Sequence, residues 1–187
     1  MRMFSLRAFI PAVAALLVVS AAQAEENKTF EIGDPGKYLL AAPANWVVKP
    51  PKSRIIDHEF EVPAAEGDTA AGRVTVMGAG GSIDENIKRW EGQFKSADGA
   101  EVKAEIKKLK VIDQDVHFVD LKGTYIDRPA GPFAGGAAID REGYRMLGAV
   151  IATKDAGQYF VKLYGPEKTI AAAKPGFEKM VEGLKAK

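Results

Sequence analysis

The chain has 187 residues, is 47 % hydrophobic and 27 % charged, and carries a formal net charge of +1. That composition fits one folded domain with a sizeable core, and the near-neutral balance offers no footprint for nucleic acid or an anionic membrane surface. There is no cysteine, which excludes disulfides, a thiol nucleophile, thiolate-bound metal and a lipid-modified cysteine.

Arg2 and Arg7 flank the start, an apolar run follows from Ala8 to Val19 with Pro11 inside it, and the segment closes on Ala22-Gln23-Ala24 before Glu25-Glu26. Charge, apolar run and small-residue site in that order predict a secretory signal peptide over residues 1–24. The run is too short to span a bilayer, and no later stretch is long and apolar enough to do so. The signal carries two arginines and no acid, so the exported part would have a net charge of −1. A periplasmic or secreted location is expected. No twin-arginine pair is present, so export in the unfolded state is expected, and no cofactor loaded beforehand.

Residues 25–36 read as a flexible N-terminal arm, and 37–187 as a single domain. Tyr38 to Ala41 is a short predicted strand, and Pro43-Ala44-Asn45-Trp46 turns the chain into a second, Trp46 to Val48, which Pro50-Pro51 ends. Ile55 to Val62 alternates, with Ile56, His58, Phe60 and Val62 on one face and Asp57, Glu59 and Glu61 on the other, which predicts a half-buried strand with solvent-facing acids. Val74 to Met77 is the next. Gly78-Ala79-Gly80-Gly81 leads to Ser82-Ile83-Asp84-Glu85, a capping box. The helix beyond it places Ile83, Ile87, Trp90 and Phe94 on one stripe.

Glu105 to Val111 and Val116 to Ile126 form a predicted hairpin around Asp113-Gln114-Asp115. Arg128 to Ile139, rich in glycine and proline, is the longest irregular stretch after the signal. Tyr144 to Thr153 and Gln158 to Tyr164 make a second hairpin around Asp155-Ala156-Gly157. Pro166 opens a C-terminal helix that Pro175 should break or kink, with Phe177, Met180, Val181 and Leu184 as its last apolar stripe. Tight hairpins between most strands predict an α+β fold, a mainly antiparallel sheet of about six to seven strands flanked by helices.

Chemical motifs are sparse. The glycine loop before Ser82 has neither a P-loop lysine nor a dinucleotide fingerprint, and a turn with a helix cap accounts for it. His58 and His117 are the only histidines. They could share a metal if the strands brought them together, but both sit among apolar strand residues, which favours packing. Asp113, Asp115, Asp120 and Asp127 do not fit a calcium loop. Ser53, Ser82 and Ser96 lie outside any nucleophile-elbow pattern. Glu59 and Glu61 remain as acid–base candidates. The strongest binding candidate is the Arg128 to Ile139 loop, with Arg128 and Phe133 as partner contacts.

Gly143-Tyr144-Arg145-Met146-Leu147-Gly148-Ala149-Val150, followed by Tyr159-Phe160-Val161-Lys162-Leu163-Tyr164-Gly165-Pro166, Lys168-Thr169-Ile170 and the stripe Phe177 to Leu184, resembles a family of exported bacterial proteins of unassigned function. In that family a strand ending Lys-Leu-x-Gly-Pro precedes the last helix. The element order, with a proline–tryptophan turn like Pro43 to Trp46, also resembles the PsbP-like fold, an antiparallel sheet between helices. PsbP is a photosystem II accessory protein, and the resemblance implies a binding or assembly module. No PsbP functional residue matches a position here, and photosynthesis is not implied. The expectation is therefore an exported, non-enzymatic binding or accessory domain engaging a protein or small ligand. The alternative is a metal-dependent or hydrolytic periplasmic enzyme using His58, His117 and nearby acids.

Overall fold

The computed structural model describes residues 27–129 and 137–187. Alternating apolar residues build two sheets. The larger has eight strands: β3 (Val47–Lys49), β4 (His58–Val62), β5 (Gly72–Ala79), β6 (Phe94–Lys95), β7 (Glu105–Val111), β8 (Gln114–Asp127), β9 (Ile139–Ala152) and β10 (Gln158–Pro166). They run β3-β4-β5-β10-β9-β8-β6, with β7 also paired to β8, and every pair is antiparallel. The smaller sheet joins β1 (Lys28–Ile32), β2 (Tyr38–Ala42) and β11 (Lys185–Ala186). Helices α1 (Ile83–Glu91) and α2 (Glu167–Glu182) complete the α+β sandwich.

The large sheet separates two cores. On one face Phe60, Val74, Leu147, Ile151 and Leu163 pack against α2 (Ile170, Phe177, Val181) and against the small sheet. On the other, Val119, Leu121, Met146, Val150 and Phe160 pack under α1 through Ile87 and Trp90. The α1 core is much the smaller, so one nine-residue helix leaves part of its face to other groups.

Several elements differ from the sequence expectation. Residues 28–32, expected in the flexible arm, are a strand, because Phe30 and Ile32 alternate into the core opposite Leu40 and Tyr38. The hairpin after Val111 turns at Ile112-Asp113, both at positive φ, and Gln114 is already in β8. Phe94 lies beyond α1, in β6, yet is buried against Tyr125. The helix continues across Pro175, because Ile170 before the proline and Phe177, Met180 and Val181 after it are all buried. The lost backbone bond is outweighed by packing on both sides.

The Lys162 to Pro166 motif is explained by these layers. Leu163 points into the α2 core, Lys162 and Tyr164 point to the α1 face, and Pro166 caps α2. At Gly165 a Cβ would stand 3.0 Å from Gly72 Cα, so glycine is what lets β10 and β5 approach there.

Candidate ligand-binding site

Beside α1, the face of the large sheet carries charge and aromatic rings where a core would be expected. From β4 comes Glu59, with its side chain only 3 % exposed, and from β5 comes Arg73. Arg73 donates from Nε to Glu59 Oε1 at 2.8 Å and from Nη2 to Oε2 at 2.9 Å, a two-pronged pair. Its Nη1 donates to the Tyr164 hydroxyl at 2.7 Å, and the Lys52 amide donates to Glu59 Oε2 at 3.0 Å. Hydrogen bonds from Arg73 hold the Glu59 carboxyl below the usual carboxylate range against the opposing effect of burial. Glu59 was expected to face solvent. The alternation located its face correctly, but that face is covered by Arg73.

Lys162 lies on β10, two residues before Tyr164. Its ammonium stands 5.0 Å from the Tyr164 ring centroid and 5.3 Å from that of Tyr125, and it donates to Gln93 Oε1 in the segment between α1 and β6. Burial pushes the Lys162 ammonium down to about 7, and the Arg73 charge adds to the shift. Tyr125 stacks on Tyr144 of β9, with centroids 6.1 Å apart and planes at 7°, and tilts against Tyr164 at 5.1 Å. Burial raises both the Tyr125 and Tyr164 hydroxyls, so they remain neutral donors. Three tyrosines, a lysine and an arginine thus gather from β5, β8, β9 and β10, with the arginine's partner Glu59 from β4. Lined by Glu59, Ala71, Gly72, Arg73, Lys49 and Lys52, among others, a cleft of about 440 Å³ opens beside Arg73.

Sequence reading missed this cluster. The signal available was a lysine at the centre of Phe160-Val161-Lys162-Leu163-Tyr164, an apolar strand where a charge must find unusual neighbours.

The other candidates resolve as follows. His58 is on β4 and His117 on β8, with β5, β10 and β9 between them. Four strand spacings put them about 19 Å apart. They also face opposite cores: His58 pairs with Val76 of the α2 core and His117 with Val150 of the α1 core. They cannot share a metal, which corrects that alternative, and no metal-holding group of His, Asp and Glu occurs among the described residues. His58 Nε2 instead meets the Glu31 carbonyl at 2.8 Å. Asp115 pairs with Lys110, Asp127 with Arg141, and Asp120 with Arg145 and Lys174, while Asp113 forms the turn. Ser82 Oγ accepts from the Glu85 amide at 3.2 Å, and Asn86 Nδ2 closes the glycine loop by donating to Gly80 O at 2.9 Å. That loop is a helix cap.

Arg128 is exposed at the end of β8, and its charge acts on the Tyr125 hydroxyl. The candidate loop therefore leaves the sheet beside the tyrosine cluster. Phe133 lies outside the described residues.

No family model and no curated protein matches the chain. Among solved structures, the cyanobacterial PsbP (CyanoP) of Synechocystis aligns over 92 % of this chain and 99 % of its own, with a TM-score of 0.50 and 13 % identity. A Bacteroides thetaiotaomicron protein aligns over 87 % of this chain and 49 % of its own, at TM-score 0.42 and 13 % identity. The first of these likenesses is one of fold, and the fold is PsbP-like.

Proposed function

We propose that this is an exported, non-enzymatic binding or accessory domain that engages its ligand or partner on the α1 face of the large sheet and the Arg128 to Ile139 loop. The observation that carries it is the cluster of Lys162, Arg73, Tyr125, Tyr144 and Tyr164, with a cleft opening beside Arg73 on one side and Arg128 leaving the sheet near Tyr125 on the other. A half-buried cation among stacked rings is suited to recognition. Export rests on the charge, apolar run and cleavage site of residues 1–24. The PsbP-like fold supports a binding role by analogy.

The test is capture. Tagged protein isolated from its native periplasm is analysed by native mass spectrometry for bound molecules, alongside Arg128→Ala and Phe133→Ala. The expected result is a stoichiometric bound species that both variants lose while melting as wild type does. Unchanged capture by both variants would move the site away from the loop, and turnover of a hydrolysable substrate would overturn the non-enzymatic reading.

A further inference from the structure

Lys162 is an unusual choice for its position. The neighbouring residues on its strand, Val161 and Leu163, are fully buried, and Phe160, two before it on the same face, packs on Trp90. Facing the ammonium are Arg73 from β5, Tyr164 of its own strand, Tyr125 from β8 and Gln93 between α1 and β6. Among the described residues no carboxylate lies within ion-pair reach of it. Glu59, the acid of this cluster, is committed to Arg73 through both oxygens. Asp115, Asp127 and Asp120 each have their own cation. With Lys162 protonated, the cluster of Arg73, Glu59 and Lys162 therefore sums to one uncompensated positive charge, set among rings, with a cleft opening on its Arg73 side.

An ammonium can donate three hydrogen bonds, and here one acceptor, Gln93 Oε1, is in place. Tyr164 accepts from Arg73, which leaves its own hydroxyl hydrogen free to donate. Donors thus exceed acceptors. A missing single negative charge, spare donors and flat aromatic walls describe a complement: a monoanion with a planar apolar body. A dianion such as phosphate would bring more charge than the cluster neutralises and would face rings where it needs water.

We propose that the α1 face of the sheet binds a small organic carboxylate, with Lys162 as its charge partner, Tyr164 as a second donor, and the rings of Tyr125 and Tyr144 against its apolar body. This rests on the binding role above and names its ligand class.

The probes are benzoate, acetate, inorganic phosphate and benzylamine, titrated into the full exported domain by calorimetry in two buffers of different ionisation enthalpy. Benzoate is expected to bind with uptake of about half a proton at pH 7, because the carboxylate restores the charged amine; uptake should approach one proton near pH 8.5 and vanish near pH 5.5. Acetate should bind more weakly. Phosphate and benzylamine should not compete. Lys162→Met, which keeps the stem and removes the charge, should weaken benzoate by about tenfold or more and abolish the proton uptake. Tyr164→Phe, which keeps the ring, should weaken it less while leaving uptake in place.

Equal benzoate binding by wild type and Lys162→Met, or benzylamine binding as well as benzoate, would overturn the proposal in favour of a plain apolar surface. Binding of phosphate alone would overturn it in favour of a general cationic patch. Loss of the anion response while the loop variants still lose captured material would remove the carboxylate and keep the binding role. Absence of both would remove the two together. Covalent reduction of a Lys162 imine by borohydride in the presence of an aldehyde, without carboxylate binding, would replace the anion site with a reactive amine.

Discussion

At the scale of single residues, Lys162 and Glu59 make opposite demands on pH. Folding lowers the Lys162 pKa from its ordinary value to about 7, so the folded state disfavours its proton. The resulting cost is absent above the unfolded lysine pKa, grows as pH falls, and is complete below about pH 7. Lys162→Met should therefore be more resistant to urea than wild type at pH 7, with the difference closing towards pH 10. Parallel midpoints across that range would mean the amine is solvated. Glu59 has the contrary sign: its folded pKa is lowered, so its contribution is present at neutral pH and is lost as pH falls through the acid range. Glu59→Gln leaves Arg73 without its counter-charge. Because Arg73 is 29 % exposed, the cost should lie near the lower end of the range for broken buried pairs, roughly 3 kcal/mol. A loss below roughly 1 kcal/mol would place the pair with ordinary surface bridges.

At the scale of elements, α1 packs on the sheet through Ile87 and through one aromatic contact, that of Trp90. Trp90 is 6 % exposed and meets Phe160 edge-on, with centroids 5.0 Å apart. Its ring also covers Gly148, where a Cβ would fall 2.5 Å from Trp90 Cζ3. Trp90→Ala should cost about 3–5 kcal/mol. Gly148→Ala should cost about 1–3 kcal/mol by pushing the indole off the sheet, visible as a shift in tryptophan fluorescence; an unshifted spectrum and unchanged denaturation midpoint would show that α1 lies loosely on the sheet. The helix stripe was legible in the sequence because its spacing is local, and so was the alternation of β4 and β8. The ion pair was not, since Glu59 and Arg73 are 14 residues apart and Arg73 and Tyr164 are 91 apart. Alternation states which residues share a face, not what covers that face. The strand β1 was hidden for a related reason: Phe30 and Ile32 form too short a pattern to read until β2 pairs with them. Pro175 misled because local propensity ignores the buried residues on either side of it.

At the scale of the whole molecule, strand order decides which chemistry is available. The two histidines share a residue type and similar apolar strands, yet the sheet places three strands between them and turns them to opposite cores. Arg73, Tyr125, Tyr144 and Tyr164, dispersed through the sequence, are brought to one face because β10 is central, flanked by β5 and β9, with β8 beyond. The same order that separates the imidazoles assembles the lysine cluster. Zinc at low micromolar concentration should therefore leave the melting temperature of wild type unchanged, and His58→Gln and His117→Gln should each respond to zinc as wild type does. The predicted cost of losing His58 is one hydrogen bond to the Glu31 carbonyl, about 1 kcal/mol, and it should appear equally with and without metal. A zinc-dependent rise in melting temperature that both histidine substitutions abolish would require the imidazoles to meet, either between two copies of the chain or in a sheet of different strand order. Sedimentation with zinc separates these: a dimer points to the first, a monomer to the second.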